Sequence, residues 1–465
     1  MNEAPRSKSA SAERPRPYLE PQYCKGCGRC IGACPKDCIA YDDHVDTRSG
    51  VVPVVVDLEA CNGCGLCLGA CPEPWGLQEL LPDGSPPAHG EPGRSVEPAA
   101  IPDQCLPLPE QQPMALKGAH AAAIGAMLAG CRNFYGYPIT PSTEGAELMA
   151  RLLPRLGGHF VQAVSEVAAV NYLYGAGGAG MRAMTFTSSP GFSLMLEGIS
   201  YMIGAEIPTV IANIMRGGPG LGNISPEQSD IKLVCRGLGH GHTHAIALAP
   251  ASPQEMLELT MLAFDLAFKY RNPVILLGDG FVGQTTGTVR LPPYFVQPGV
   301  PSWAVRGDAE HRHNLMTSIH LAEPDLEAHM FKLLDKYAEI GAREQRAELY
   351  QAEDAEVLIV ACNTPARMAK GAVEALRARG VAAGLFRPIT LWPFPIAKQL
   401  PLLECTQTLV VVEATAGQLE DELRLALSKA EAPPVPIEHI RRVGGFLPQL
   451  DAIVEHVLET EEVPS

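Results

Sequence analysis

The sequence predicts an α/β protein: two doubly wound parallel-sheet domains preceded by a small α+β unit. Three observations carry that expectation. Between 115 and 300, Ala-rich helical stretches alternate with short apolar runs, among them "RAMTFTSS", "PTVIANIM", "AIALAP" and "PVILLGDG". Helices and strands alternating at this spacing build a parallel sheet with helices on its faces. The same alternation returns after 351, through "AEVLIVAC", "ARMAKGAVEALRARG", "VAAGLFRPITLWPFP" and "TQTLVVVEAT". Nine of the 14 cysteines crowd between Cys24 and Cys71, where the alternation is absent.

At 465 residues the chain exceeds one ordinary core and calls for several domains. Residues 1–20 have basic residues but no apolar stretch behind them, which predicts a disordered arm rather than a secretory signal. Residues 21–79 form the cysteine-rich unit. Residues 80–114, rich in Pro, Gly and charge, read as a semi-extended linker. The first α/β domain covers 115–300, a polar connecting segment with one helix covers 301–350, and the second α/β domain covers 351–465.

Formal net charge is −16, which argues against nucleic acid as the main partner. No apolar run is long enough to span a bilayer, so no membrane is expected. Cysteines gathered in one place suit a local metal centre in a cytoplasmic protein better than a disulfide scaffold.

The gathered cysteines repeat one pattern. "CKGCGRCIGACP" (24–35) and "CNGCGLCLGACP" (61–72) both read C-x2-C-x2-C-x3-C-P, with a strand, a polar turn and a Val-rich strand between them. Three closely spaced thiolates wrap one face of a 4Fe–4S cube, and the fourth ligates the other cube. Cys24, Cys27 and Cys30 are therefore expected to share one cluster with Cys71, and Cys61, Cys64 and Cys67 to share the second with Cys34. Glycines between the ligands let backbone N–H groups approach the sulfurs. Zinc would take four ligands from two pairs and leave the triple-then-single pattern unexplained. Cys38 falls outside the pattern and reads as a small core residue. The unit resembles bacterial two-cluster ferredoxins over its whole length.

Three features of the first α/β domain attract attention. In "FYGYPITPSTEGAELMARLL" two prolines flank Thr140 and fix its backbone, ahead of a helix starting near Ser142 or Thr143 with Glu147 in its first turn. Glu166, in "SEVAAVN", sits among small apolar residues. It is either a helix-start glutamate bonded to backbone amides or a carboxylate presented to a cofactor ring nitrogen. Arg216 opens the glycine-rich "RGGPGLGNISPEQSD" and is suited to gripping a carboxylate with both arms.

Taken together, "YPITP", "SEVAAVN", "TSSPGFSLMLEGISYM", "RGGPGLGNISPEQSD" and "LFRPITLWPFP" give residues 115–460 a resemblance to the α subunit of 2-oxoacid:ferredoxin oxidoreductases of the 2-oxoisovalerate or 2-oxoglutarate type. The ferredoxin part, commonly a separate δ subunit in that family, would be fused here. The resemblance implies a pyrimidine-side thiamine diphosphate domain and a transketolase C-terminal-like domain. It implies oxidative decarboxylation of a 2-oxo acid to an acyl group passed to coenzyme A, with electrons leaving through the clusters. Glu166 matches the carboxylate at the cofactor's pyrimidine ring, with Pro138 and Ile139 beside that cofactor. Thr140 and Tyr137 match substrate contacts, and Arg216 matches the residue holding the substrate carboxylate. Ser225 stands where relatives often have threonine.

The resemblance also implies partners. A β subunit would bring Mg2+, diphosphate contacts and a proximal cluster, and a γ subunit would complete the assembly. External ferredoxin would take the electrons. Two other readings stand beside this one. The chain would be an electron-transfer and assembly subunit with an idle thiamine domain, or part of an NAD(P)-linked complex acting on an aryl glyoxylate through a flavoprotein partner. No G-x-G-x-x-G follows a strand, so the chain itself is not expected to bind a nicotinamide.

Two further motifs are read as structural. "GDG" (278–280) resembles a Mg–diphosphate motif, but no asparagine falls between Asn272 and Asn314, so Asp279 is expected to be a strand-end turn residue. His240, His242 and His244 alternate and would share one face of an extended chain. A strand edge at the surface or an interface is expected there rather than a metal site.

Overall fold

The computed structural model describes residues 16–73, 75–81, 84–86, 98–308, 310–311 and 314–461. The chain divides into two compact units. One comprises residues 1–97 together with 319–329, and the other comprises 98–318 with 330–465. The arm expected at 1–20 lies mostly outside the described residues.

In the first unit, two five-residue helices, Arg29–Ala33 and Leu66–Ala70, each carry the third cysteine of a triplet and pack against each other. Each is entered through a left-handed glycine, Gly28 or Gly65, a conformation open to glycine at little cost. The expected hairpin lies between the repeats, with Ile39–Tyr41 antiparallel to Val54–Val56. A second pair, Pro17–Leu19 with Leu77–Glu79, joins the two ends of the unit. Its small core includes Cys30, Cys38, Ile39, Val54, Cys67 and Leu77.

In the second unit, a seven-stranded sheet runs Thr390–Trp392, Ile246–Leu248, Val274–Asp279, Val210–Met215, Ala183–Thr187, Asn133–Gly136 and His159–Gln162. Six of these strands are parallel and the first is antiparallel. The four runs singled out in the sequence are its four central strands. Ala-rich Gly118–Leu128 packs so tightly on Pro253–Tyr270 that a Cβ on Gly125 would lie 2.5 Å from the Leu257 carbonyl. A five-stranded sheet follows, in the order Ala347–Tyr350, Ala383–Pro388, Val357–Val360, Thr408–Glu413 and Ile437–Arg441.

Several elements depart from the sequence expectation. Part of the expected linker is paired strand: Gln104–Pro107 lies antiparallel to Tyr294–Gln297, and Met114–Lys117 to Thr286–Val289. The connecting segment contributes the helix Glu323–Arg343 and also an edge strand, Ala347–Tyr350, of the second sheet. Within "FRPITLW" the chain leaves one sheet for the other, since Thr390–Trp392 pairs with Ile246–Leu248 of the seven-stranded sheet. The helix after "YPITP" begins at Thr143, but the acid in its first turn is Glu144, paired with Lys117 at 2.7 Å, and Glu147 comes a turn later.

A buried ion cluster ties the two sheets of this unit together. Glu344, beside Arg346 at the entry to the second sheet, accepts from Lys269 Nζ (2.8 Å) and Tyr270 Oη (2.6 Å) of the first domain's helix. Arg346 lies 2.6 Å from its other oxygen. Burial pushes this carboxyl up, but the Lys269, Tyr270 and Arg346 bonds outweigh it and hold the pKa at about 2. A depressed carboxylate stabilises the fold above its unfolded pKa, and that contribution fades as pH falls from about 4.5 toward 2. Glu344→Gln is expected to cost about 2 kcal/mol at neutral pH, because it removes a buried carboxylate that accepts from Tyr270 and from two partly exposed cations. Urea unfolding at pH 7 and pH 3 checks this, and the difference between variant and parent shrinks at the lower pH.

Candidate functional site

Parallel sheets present ligand sites at the carboxyl ends of their strands, where helix N-termini and loops converge. The residues singled out in the first α/β domain all fall at this edge. Tyr137–Pro141 follow Asn133–Gly136, Glu166 follows His159–Gln162, Ser188 and Ser189 follow Ala183–Thr187, and Arg216 follows Val210–Met215.

Glu166 is the first residue of the helix Glu166–Gly178 and is buried. Capping is done by its neighbour: Ser165 accepts from the Ala168 N–H at 3.2 Å. The Glu166 carboxylate takes no hydrogen bond from the described residues, so it is not spent on the helix start. It faces Gly191, where a Cβ would lie 2.6 Å from Glu166 Oε1 and 2.5 Å from Thr187 Oγ1. Thr187 Oγ1 and Ser188 Oγ are buried without a partner among the described residues. Orphan hydroxyls buried beside a carboxylate are costly to leave unmet. These residues fit a polar heteroaromatic group of the thiamine pyrimidine kind.

Arg216 is almost wholly buried. Its Nη1 donates to the Thr140 carbonyl at 2.9 Å and its Nη2 to the Leu221 carbonyl at 3.3 Å, while Nε has no partner. The guanidinium thus ties "YPITP" to the glycine-rich loop. Thr140 itself is exposed and precedes a cis peptide bond to Pro141. Tyr137 and Pro138 are exposed and Ile139 is half-buried. Ser225 is half-buried, its N–H bonded to Asn223 Oδ1 (3.0 Å), and its side chain packs on Gly445.

Behind Arg216 lies a network that residue-by-residue reading of the sequence missed. Ser189 Oγ donates to Asp230 Oδ2 at 2.6 Å, Asn213 Nδ2 to the same oxygen at 2.9 Å, and Ser229 Oγ to the Arg216 carbonyl at 2.8 Å. The Arg216 N–H donates back to Ser189 Oγ at 3.1 Å. Burial pushes the Asp230 carboxyl up, against the opposing bonds from Ser189, Asn213 and Ser229. Through Ser189 and Gly191, which share a helix start, this network links Arg216 to Glu166. The only sequence signal was the density of small polar residues in "TSSP" and "EQSD".

Asp279 is a strand-end residue, as expected, and it also locks the two α/β domains together. It caps the short helix after it through the Phe281 and Val282 N–H groups, both at 2.9 Å. It also accepts from the Thr364 N–H and Oγ1, both at 2.8 Å. The histidine trio does not share a strand face. His240 and His242 are exposed in a bend, whereas His244 stacks on Trp392 with ring centroids 4.5 Å apart. Burial lowers the His244 pKa to about 4.

In the cysteine-rich unit one cavity is lined by Cys24, Cys27, Cys30 and, from the other repeat, Cys71. Cys61 and Cys64 lie close enough to Cys67 to add to the upward push that burial gives its thiol. Cys38 Sγ lies 3.3 Å from Cys34 Sγ. Gly26 N–H points at Cys24 Sγ and Gly63 N–H at Cys61 Sγ, both at 3.4 Å. One group of thiols drawn from both repeats, a second around Cys61, Cys64 and Cys67, and backbone donors at each fit a pair of iron–sulfur cubes.

Comparison with known proteins agrees with this geometry. Residues 124–352 match the thiamine diphosphate-binding family of pyruvate flavodoxin/ferredoxin oxidoreductases. Residues 355–453 match core domain II of pyruvate:ferredoxin oxidoreductase, and residues 23–74 match a 4Fe–4S dicluster domain. The fold and site therefore define a thiamine diphosphate-binding oxidoreductase subunit with its own dicluster domain. Ketoisovalerate oxidoreductase subunit VorB of Methanothermobacter marburgensis is 47% identical over 346 residues, covering 74% of this chain and 97% of its own. The 2-oxoglutarate synthase subunit KorA of Methanocaldococcus jannaschii is 35% identical over 368 residues, covering 74% and 98%. A structure of 2-oxoglutarate:ferredoxin oxidoreductase from Magnetococcus marinus, with 2-oxoglutarate, coenzyme A and succinyl-CoA bound, superposes with a TM-score of 0.68 at 28% identity. That match covers 75% of this chain and 65% of the other. The chain belongs to the 2-oxoacid:ferredoxin oxidoreductase family, as an enzyme subunit. No helix among the described residues is long and apolar enough to cross a membrane.

Proposed function

We propose that this chain supplies the pyrimidine-side half of a thiamine diphosphate site and two 4Fe–4S clusters to a cytoplasmic complex that converts a 2-oxo acid and coenzyme A to acyl-CoA and CO2. The balance is one 2-oxo acid anion and one thiol in, one thioester, CO2, two electrons and one proton out. The observation that carries this reading is Glu166, a buried residue that leaves the capping of its helix to Ser165 and turns Oε1 toward the notch at Gly191. Bound there, thiamine diphosphate would supply the carbon nucleophile and the electron sink for decarboxylation. Glu166 would hold the proton at the pyrimidine ring nitrogen. Thr140 and Tyr137, on the exposed turn, would contact the substrate, with Ser225 at the loop behind them. Arg216 would hold the substrate carboxylate by releasing one of its two carbonyl partners. Pro138 and Ile139 would pack beside the cofactor ring.

The clusters would be held by Cys24, Cys27, Cys30 and Cys71, and by Cys61, Cys64, Cys67 and Cys34. They would pass electrons singly to ferredoxin. A β subunit would complete the site with Mg2+, diphosphate contacts and a proximal cluster, and a γ subunit would complete the assembly. Identity to the ketoisovalerate subunit exceeds that to the 2-oxoglutarate subunits, which favours a branched-chain 2-oxo acid.

The purified chain alone is expected to bind iron and to show no turnover. The chain assembled with its β partner should reduce a viologen dye only when both a 2-oxo acid and coenzyme A are present. Decarboxylation by the single chain would overturn the half-site reading. A panel of branched-chain, dicarboxylic and aryl 2-oxo acids ranks the substrates by kcat/KM.

A further inference from the structure

Cys38 was expected to be a core residue outside the ligand pattern. It is buried, and its sulfur does not simply fill space: Cys38 Sγ lies 3.3 Å from Cys34 Sγ, within hydrogen-bond reach. Cys34 belongs to the set proposed to hold the second cluster.

The first cluster's surroundings differ at the matching position. After Cys34-Pro35 the chain reads Lys36, Asp37, Cys38, whereas after Cys71-Pro72 it reads Glu73, Pro74, Trp75. Cys71 Sγ is met by the Leu77 N–H at 3.4 Å. The acidic Glu73, paired with Lys25 at 2.8 Å, lines the same cavity as the first cysteine set. Two repeats that match at every ligand, glycine and proline thus diverge just where the fourth ligand's neighbour is chosen.

Reduction adds negative charge to a cluster and its sulfurs. A donor aimed at a ligand sulfur stabilises the reduced form and raises the potential, whereas a nearby carboxylate lowers it. We propose that the Cys38 thiol is a hydrogen-bond donor to the Cys34 ligand sulfur of the second cluster, and that it sets this cluster's reduction potential above that of the first. Single electrons then come to rest on the cluster held by Cys61, Cys64, Cys67 and Cys34. The inference rests on the ligand sets proposed above.

The test is an EPR-monitored potentiometric titration of the full chain with both clusters in place. The parent should show two distinct midpoints. In Cys38→Ala the higher midpoint should move negative, by roughly fivefold in the reduced-to-oxidised ratio at fixed poise, while the lower one and the iron content stay unchanged. Cys38→Ser keeps a hydroxyl donor and should shift less. Two unmoved midpoints in Cys38→Ala would overturn the proposal. Loss of about half the iron would also overturn it, by making Cys38 a ligand rather than a donor. A parent chain without 4Fe–4S signals would instead defeat the ligand assignment on which the inference stands.

Discussion

Glu166→Gln, introduced into the assembled complex, is expected to lower 2-oxo acid turnover by about three orders of magnitude, the range of a removed acid–base group. The substitution is nearly isosteric and breaks no hydrogen bond to the described residues, so the fold should hardly register it. The loss should fall on kcat rather than on the KM for the 2-oxo acid, because Arg216 and Thr140 are untouched. Cluster EPR signals and iron content should match the parent, which separates a lost proton-holding group from a damaged subunit. Steady-state dye reduction checks the prediction. An undiminished rate would mean that the thiamine domain is idle and that the chain serves electron transfer and assembly alone.

The second large effect concerns the crossed ligand sets, which single variants cannot reveal because any one lost cysteine removes one cluster. Pairs can. Cys34→Ala with Cys61→Ala draws one residue from each repeat but both from one proposed cluster, so about half the iron should remain. Cys24→Ala with Cys34→Ala draws both from one repeat and should empty both clusters. Ligand sets confined to single repeats would give the reverse pattern. Iron and sulfide analysis of the reconstituted chain decides between them. Losing both clusters should also unfold the unit, whose own core holds little besides cysteines, Ile39, Val54 and Leu77.

Much of this was legible in the sequence because the signals are local. Three cysteines at short spacing, then a fourth before proline, mark a cluster-binding repeat within twelve residues. Short apolar runs such as "PTVIANIM" announce buried parallel strands without reference to anything else in the chain. What could not be read depends on partners far away in sequence. Gln104–Pro107 looked like linker because its strand partner begins almost two hundred residues later. The Asp230 network escaped because Ser189, Asn213 and Asp230 each look ordinary alone and meet only when two helix starts close over a strand. Cys38 is the core residue the sequence suggested, and the sequence could not show that its sulfur would also meet Cys34. For Glu166 both options were visible, and what no pattern carries is that Ser165 takes the capping role, which supports the cofactor reading proposed above.

Thr390–Trp392 has a consequence for anyone who cuts this chain. The strand leaves the second sheet to close the edge of the first against Ile246–Leu248. A fragment ending before 351 would bare that edge, a row of unpaired amides along a fully buried strand, and invite other chains to pair with it. The matching C-terminal fragment would carry a stranded ribbon with nothing to bind. The boundary between the two α/β lobes is therefore a line on the sequence but not a seam in the molecule, and expression, deletion or swapping of either lobe should treat both as one piece.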